Sequence, residues 1–129
     1  MNSVDAHTAH SMIEAGKAVL VDIREVNERA RASIPGSHHA ALSQMKVGFK
    51  PQHDGKVVIF HCASEMRTRS ASALLDSSVP GQSFILTGGI SGWSRAGLPV
   101  VSSGGSESPL LQLMAKMPWA RPAPRTTGR

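Results

Sequence analysis

Apolar residues along this chain occur in short runs that are separated by polar segments. Residues 18–23 form a nearly continuous apolar run bounded by polar residues, and residues 56–60 form a second. Short runs without polar alternation are typical of strands buried on both faces, as in a parallel sheet. Further short strands are predicted over residues 37–42 and 82–86.

Helix signals lie between these runs. Asp5 can cap a helix that extends to Ala15, with Gly16 as its stop signal. Other helical segments are predicted over residues 25–32, 43–49, 69–75 and 90–93. Strands that alternate with helices at this spacing predict an α/β fold, an open and mainly parallel twisted sheet with helices on both faces. Its ligand crevice should lie at the carboxyl ends of the strands.

The composition changes near residue 101. Residues 102–106 read as a Ser/Gly linker, and four of the eight prolines lie in residues 102–129. We expect one domain over residues 1–101 and a Pro-rich, basic tail over residues 102–129. Residues 109–119 are apolar enough for a short amphipathic helix, which either folds back or frays, or docks a partner or a membrane surface.

Charge and composition limit the classes of partner. The net charge is +5, but residues 1–101 carry ten Lys and Arg against eight Asp and Glu. With three Phe, two Trp and no Tyr, the chain offers little surface for base stacking, so nucleic acid is not an expected partner. A single cysteine excludes an internal disulfide, and neither a secretory signal nor a membrane-spanning run is evident. These features predict a soluble, cytoplasmic protein.

Cys62 is the candidate nucleophile. It follows the apolar run 56–60 and precedes a helical segment, where backbone N–H groups and the helix dipole stabilise an anion such as a thiolate. The alternative is that Cys62 is a small buried apolar residue without chemistry. The polar residues that follow it, among them Ser64, Arg67 and Thr68, favour the nucleophile.

Three blocks of sequence resemble the rhodanese family of sulfurtransferases. Residues 21–25, followed by Glu28 and the Ile-Pro-Gly-Ser turn at 34–37, are similar to the first family signature. Residues 62–68 resemble the active-site loop, and residues 86–93 with 97–100 resemble the closing signature. The resemblance covers residues 4–101 in the family's order and spacing.

The resemblance implies a covalent mechanism. The Cys62 thiolate would take the outer sulfur of thiosulfate or another persulfide donor and pass it to a thiophilic acceptor such as cyanide, a thiol or a protein. No cofactor or metal is implied. Substrate would be bound by the loop that follows the cysteine, namely Ala63, Ser64, Glu65, Met66, Arg67 and Thr68. Asp22 and Arg24 either line the cleft or support the structure, with Glu28 as a local partner of Arg24.

Two other functions stay open. A cysteine phosphatase or arsenate reductase needs five residues between cysteine and arginine, whereas four separate Cys62 from Arg67. A non-catalytic or sulfur-relay module, with the tail recruiting a partner, is the second alternative.

Glu65 stands where the family usually has glycine. Its charge would raise the pKa of the thiol and repel thiosulfate if it faced the site. Either the side chain points to solvent and pairs with Arg67 or Arg69, or the donor is a protein or low-molecular persulfide. Among the other polar residues, the pair His38 and His39 lacks a third ligand at metal spacing.

Overall fold

The computed structural model describes residues 1–102. The predictions made for residues 103–129, including the amphipathic segment 109–119, lie outside the described residues. Within residues 1–102 the strands are β1 (Asn2–Val4), β2 (Ala18–Asp22), β3 (Ala32–Ser33), β4 (His38–His39), β5 (Val57–His61), β6 (Ser83–Leu86) and β7 (Val101–Ser102). The helices of this region are α1 (Ala6–Glu14), α2 (Val26–Arg31), α3 (Leu42–Met45), α4 (Met66–Ser70), α5 (Ser72–Ser77) and α6 (Gly89–Arg95).

Five strands form one parallel sheet in the order β1-β6-β5-β2-β4. The predicted α/β class and parallel sheet are confirmed, and β5, which leads into Cys62, is the central strand. All five residues of β2 are buried, as its uninterrupted apolar run predicts.

Apolar side chains pack on both faces of this sheet. On one face, Val58 and Phe60 pack with Met45 of α3 and Leu75 of α5. On the other face the core contains residues of β2 and β5 together with residues of α1 and α6: Ala6, Ala9, Ala18, Leu20, Ile59, Ile90 and Trp93. The helices therefore cover both faces, as expected, and Trp93 is a core residue with 2% of its surface exposed.

Some elements differ from the sequence prediction. The helix expected over residues 69–75 begins earlier, at Met66, and is divided into α4 and α5 at Ala71, whose backbone leaves the helical conformation. Strand β1 was not predicted, and neither was the small antiparallel sheet of β3 and β7. Strand β7 includes Ser102, which the composition assigned to the linker.

The first helix follows its sequence signals closely. The Asp5 side chain accepts a hydrogen bond of 2.7 Å from the Thr8 backbone N–H, and Gly16 adopts the left-handed conformation after the helix ends. No helix within residues 1–102 has both the length and the apolar character needed to cross a bilayer.

Candidate active site

Cys62 lies directly beyond the carboxyl end of β5, where ligand crevices form in open parallel sheets. Only 1% of the residue is exposed, and it packs on the same side of the sheet as Val58, Phe60 and Leu75. The polar residues that follow Cys62 in the sequence suggested a more exposed position, but the cysteine is buried. A reacting sulfur atom must enter the loop of residues 63–68 to reach the thiol.

The carbonyl groups of this loop are held from outside. Ile90 N–H donates to the Cys62 oxygen at 2.9 Å, and Ser91 N–H donates to the Ala63 oxygen at 3.1 Å. The Glu65 oxygen accepts from Arg69 N–H at 3.0 Å. These bonds anchor the loop to the start of α6 and to its own helix.

The backbone N–H groups of residues 63–68 have no hydrogen-bond acceptor within residues 1–102. Successive N–H groups that are not bonded within the protein can bind an anion. The residues predicted to bind substrate therefore lie together in one turn, with the donors that such binding needs.

Thr68 lies beneath this turn and is fully buried. Its hydroxyl oxygen is 3.8 Å from the Cys62 sulfur and 2.8 Å from the Glu65 carbonyl oxygen, to which it donates. The hydroxyl hydrogen thus closes the turn, and the hydroxyl oxygen can accept a hydrogen bond from the Cys62 thiol.

Arg67 is paired with Glu28. Its two terminal nitrogens each donate to one carboxylate oxygen of Glu28 at 2.8 Å, which is a bidentate geometry. The Arg67 hydrogen bonds lower the pKa of Glu28 to about 2, and the same pair raises the pKa of Arg67. The sequence singled out both residues but not their contact, because they are 39 positions apart.

Glu65 does not point freely into solvent, although its expected pairing with Arg69 is present. One carboxylate oxygen accepts from the Gly88 backbone N–H at 2.8 Å, and the other accepts from the Arg69 side chain. The Gly88 bond, followed by Arg69, lowers the pKa of Glu65. Its φ angle of −179° is extended, so this backbone position does not require glycine.

Asp22 and Arg24 form a buried ion pair at the carboxyl end of β2. Arg24 donates to both Asp22 carboxylate oxygens, at 3.0 Å and 2.9 Å, and to the Ala32 carbonyl at 2.6 Å. Asp22 is fully buried; although burial itself opposes ionisation, the Arg24 hydrogen bond and the charges of His61 and Arg24 lower its pKa. The expected pairing of Arg24 with the Glu28 side chain is wrong, since that carboxylate binds Arg67 and Arg24 reaches only the Glu28 carbonyl, at 3.5 Å.

His61 is completely buried at the end of β5, directly before the candidate nucleophile. Its Nδ1 is 3.2 Å from the Cys62 carbonyl oxygen, and its Nε2 has no hydrogen-bond partner within residues 1–102. Burial lowers the pKa of His61 to about 4, against the opposing charge of Asp22. Alternation along β5 places His61 on the opposite face of the sheet from Val58, Phe60 and Cys62.

A groove of about 560 Å³ adjoins the loop on the face of the sheet that holds Cys62. Its lining is mostly apolar, with two cationic residues, and comprises Leu42, Lys46, Met66, Arg67, Ser70, Ala71, Ala73 and Leu74. Met66 is 76% exposed and belongs to both the loop and the groove. Sequence reasoning did not find this groove, because its residues come from α3, α4 and α5.

The histidine pair of β4 is engaged in local contacts. His38 Nε2 lies 3.2 Å from Asp54, and His39 Nε2 lies 2.7 Å from the Arg24 carbonyl oxygen. Within the described region no three His, Cys, Asp or Glu side chains are grouped as metal ligands.

Comparisons with known proteins agree with this geometry. The family model described as Rhodanese-like domain matches residues 5–96. The chain is 31% identical over 99 residues to the thiosulfate sulfurtransferase GlpE of Actinobacillus succinogenes, covering 75% of this chain and 87% of the relative. It is 30% identical over 96 residues to the uncharacterized protein slr1261 of Synechocystis, covering 74% of this chain but only 54% of that protein's length.

Solved structures show the same fold. A rhodanese-related protein from Thermoplasma volcanium superposes with a TM-score of 0.62 at 24% identity, covering 78% of this chain and 98% of that one. At this level of identity the similarity supports the architecture of the sheet and its helices.

Proposed function

The chain belongs to the rhodanese-like domain family, and on this premise we propose that it is a sulfurtransferase that carries sulfane sulfur on Cys62. One observation carries the proposal. The cysteine lies under a turn of six residues in which the Ala63 and Glu65 carbonyls accept from Ser91 and Arg69 N–H groups, and in which the turn's own N–H groups are unbonded within the described chain. A relative that this chain matches over 87% of the relative's length is named a thiosulfate sulfurtransferase. Its name supports the same chemistry.

The first half-reaction forms the persulfide. The Cys62 thiolate attacks the outer sulfur of the donor, and the bond between the two donor sulfurs breaks. With thiosulfate, sulfite leaves with the bonding electron pair. The loop N–H groups stabilise the negative charge of the donor and of the persulfide.

The second half-reaction removes the transferred sulfur from Cys62. A nucleophilic acceptor such as cyanide or a thiolate attacks the outer persulfide sulfur, and the Cys62 thiolate leaves with its electron pair. Because Cys62 carries one negative charge both as the thiolate and as the persulfide, neither half-reaction changes the charge of the protein. The kinetics are expected to be ping-pong.

Mass spectrometry of the intact protein tests this proposal. Incubation with thiosulfate should add the mass of one sulfur atom, and cyanide should remove that atom as thiocyanate. Cys62→Ser, checked for folding by its thermal transition, should neither gain the sulfur nor produce thiocyanate. Thiocyanate production at the wild-type rate by Cys62→Ser would exclude Cys62 as the sulfur carrier.

Two controls address the other functions. Hydrolysis of an aryl phosphate or reduction of arsenate that depends on Cys62, without any persulfide, would instead indicate the phosphatase or reductase class. Failure of every sulfur donor to modify the folded protein would favour a non-catalytic module.

A further inference from the structure

The groove formed by α3, α4 and α5 is an extension of the core that the rest of residues 1–102 does not cover. Leu42, Ala71 and Leu74 line it and also pack against the buried cluster of that face of the sheet. Met66, which is 76% exposed, lies beside them. Because removing apolar surface from water is favourable, the groove suits an apolar segment. Neither Cys62 nor residues 63–65 line it, so an occupant of the groove leaves the anion-binding turn open.

The described chain ends close to this groove. Ser102 pairs with Ala32 in the sheet of β3 and β7, and its hydroxyl donates to the Arg31 carbonyl oxygen at 3.3 Å. Arg31 ends α2, and one helical turn earlier Glu28 binds Arg67, which lines the groove. The path from Ser102 to the groove is therefore one helical turn and one ion pair.

Residues 103–108 are long enough for this path. Six extended residues span about 20 Å, at about 3.3–3.6 Å for each residue. One helical turn takes up about 5 Å of that length, which leaves most of it for the ion pair. Residues 109–119 therefore begin within reach of the groove. A short tether also gives such a segment a high effective concentration at its site.

The sequence of residues 109–119 has the apolar spacing that a groove-binding helix needs. Four apolar residues, of which three follow the first at three, four and seven positions, share one side of a helix: Leu110, Leu113, Met114 and Met117. Gln112 and Lys116 fall on the other side. The polar side would face solvent when the apolar side lies in the groove.

We propose that residues 109–119 bind as an amphipathic helix in the groove of the same molecule, with their apolar side against Leu42, Ala71 and Leu74. This inference goes beyond the proposed sulfur transfer and does not depend on it. The groove is then an intramolecular docking surface. A second protein can use it only by displacing the segment.

Limited trypsin digestion of the full chain tests this docking. Trypsin can cut after Lys116, inside the segment, and after Arg125, beyond it, so the second site is an internal reference. Ala73→Glu places a carboxylate in the exposed wall of the groove. We expect it to raise the ratio of the initial cleavage rates, Lys116 over Arg125, about tenfold, because a docked segment is cut only when it is released.

Three further variants serve as a second test and its controls. Leu110→Glu removes an apolar contact from the segment and should also raise the ratio. Gln112→Glu adds the same charge on the other side of the segment, and Ser11→Glu adds it on exposed α1, across the sheet. Both should keep the wild-type ratio. The thermal transition of each variant checks its folding.

The remaining outcomes overturn the proposal. Equal ratios for the wild type and Ala73→Glu would show that the segment is not docked in the groove, and so would an equal rise in Ser11→Glu. Protection that grows with protein concentration, together with a doubled mass in light scattering, would assign the groove to a second copy. Protection that requires vesicles of phosphatidylcholine and phosphatidylglycerol would assign the segment to a membrane surface. None of these results alters the persulfide mass measurement on Cys62.

Discussion

Glu65 joins the active-site loop to the turn that follows β6. Its carboxylate accepts from Gly88 N–H and pairs with Arg69, so both of its oxygens are engaged. With 22% of the side chain exposed, the Gly88 bond is partly shielded from water, whereas the Arg69 side chain is 53% exposed. The bond to Gly88 is therefore the contact expected to position the loop, since exposed ion pairs contribute little.

Replacing Glu65 tests this positioning role. Glu65→Ala should lower stability by about 1–2 kcal/mol and reduce the rate of persulfide formation more than it changes KM, because the N–H of Gly88 loses its acceptor. Glu65→Gln retains an acceptor oxygen and should recover most of both properties. Thermal unfolding and single-turnover mass spectrometry provide the measurements.

A matched substitution isolates the ion pair. Arg69→Met removes only the exposed partner and should change stability by less than about 0.5 kcal/mol. The hydrogen bond to Gly88 would not be the positioning contact if Glu65→Gln lowered stability and the rate of persulfide formation as much as Glu65→Ala while Arg69→Met changed neither.

At the scale of single residues, the sequence pointed to Cys62 as the candidate nucleophile but did not predict the partners of the charged residues. Cys62 could be found because a cysteine between a strand and a helix has a local signature. The contacts of Glu28 with Arg67 and of Glu65 with Gly88 join residues 39 and 23 positions apart. Such pairings depend on the packing of separate elements, which no local pattern encodes.

At the scale of elements, the start of α6 forms the back wall of the loop. Gly89 has a φ of +58°, and a β-carbon on it would lie 2.4 Å from the Cys62 oxygen and 2.5 Å from the Ser64 oxygen. Only glycine permits both this conformation and this approach. The N–H donors of Ile90 and Ser91 are thereby brought to the loop carbonyls.

Gly89→Ala should displace the start of α6 from the loop. The clash with backbone carbonyls and the left-handed conformation together predict a loss of about 2–4 kcal/mol in the free energy of unfolding, with a marked loss of persulfide formation. Gly81→Ala is the matched control, because a β-carbon there meets nothing within 4 Å and its φ is not positive. Urea denaturation of both variants checks the difference. Equal stabilities for the two would contradict the close packing described.

The elements that the sequence revealed are those with a strong local signal. β2 and β5 are apolar runs because both faces of a central parallel strand are covered. β1 gave no such signal, because it is a three-residue edge strand with exposed Asn2 and Ser3. The break at Ala71 was also missed, because alanine itself favours helix and the deviation arises in the tertiary structure.

At the scale of the whole molecule, the central position of β5 brings the thiol and a buried histidine to one end of the sheet. His61 lies 3.9 Å from an Asp22 carboxylate oxygen, and both side chains are fully buried. Asp22 also pairs with Arg24, so a change of charge at His61 acts on this buried ion pair. The stability of the fold should therefore depend on pH through this residue.

Burial lowers the pKa of His61 from 6.5 to about 4. Between these values the unfolded chain binds a proton that the folded protein does not, so stability is full above the unfolded pKa and falls as pH decreases toward 4. This lowering of the His61 pKa predicts that the free energy of unfolding falls by about 3 kcal/mol as the pH decreases from the unfolded pKa toward 4. Glu28, whose pKa is lowered to about 2, contributes a separate loss below its ordinary value of 4.5.

Urea denaturation between roughly pH 7 and pH 4 should show this slope in the wild-type protein. His61→Phe should flatten it whatever its absolute stability, whereas His7→Gln, which removes an exposed histidine, should preserve it. Should the phenylalanine variant not fold, the ring resonances of wild-type His61 give the same information by NMR, and they should not titrate above about pH 5. A midpoint for that ring near 6.5 would show that burial does not keep His61 neutral, and the predicted pH dependence would then have no source in this residue.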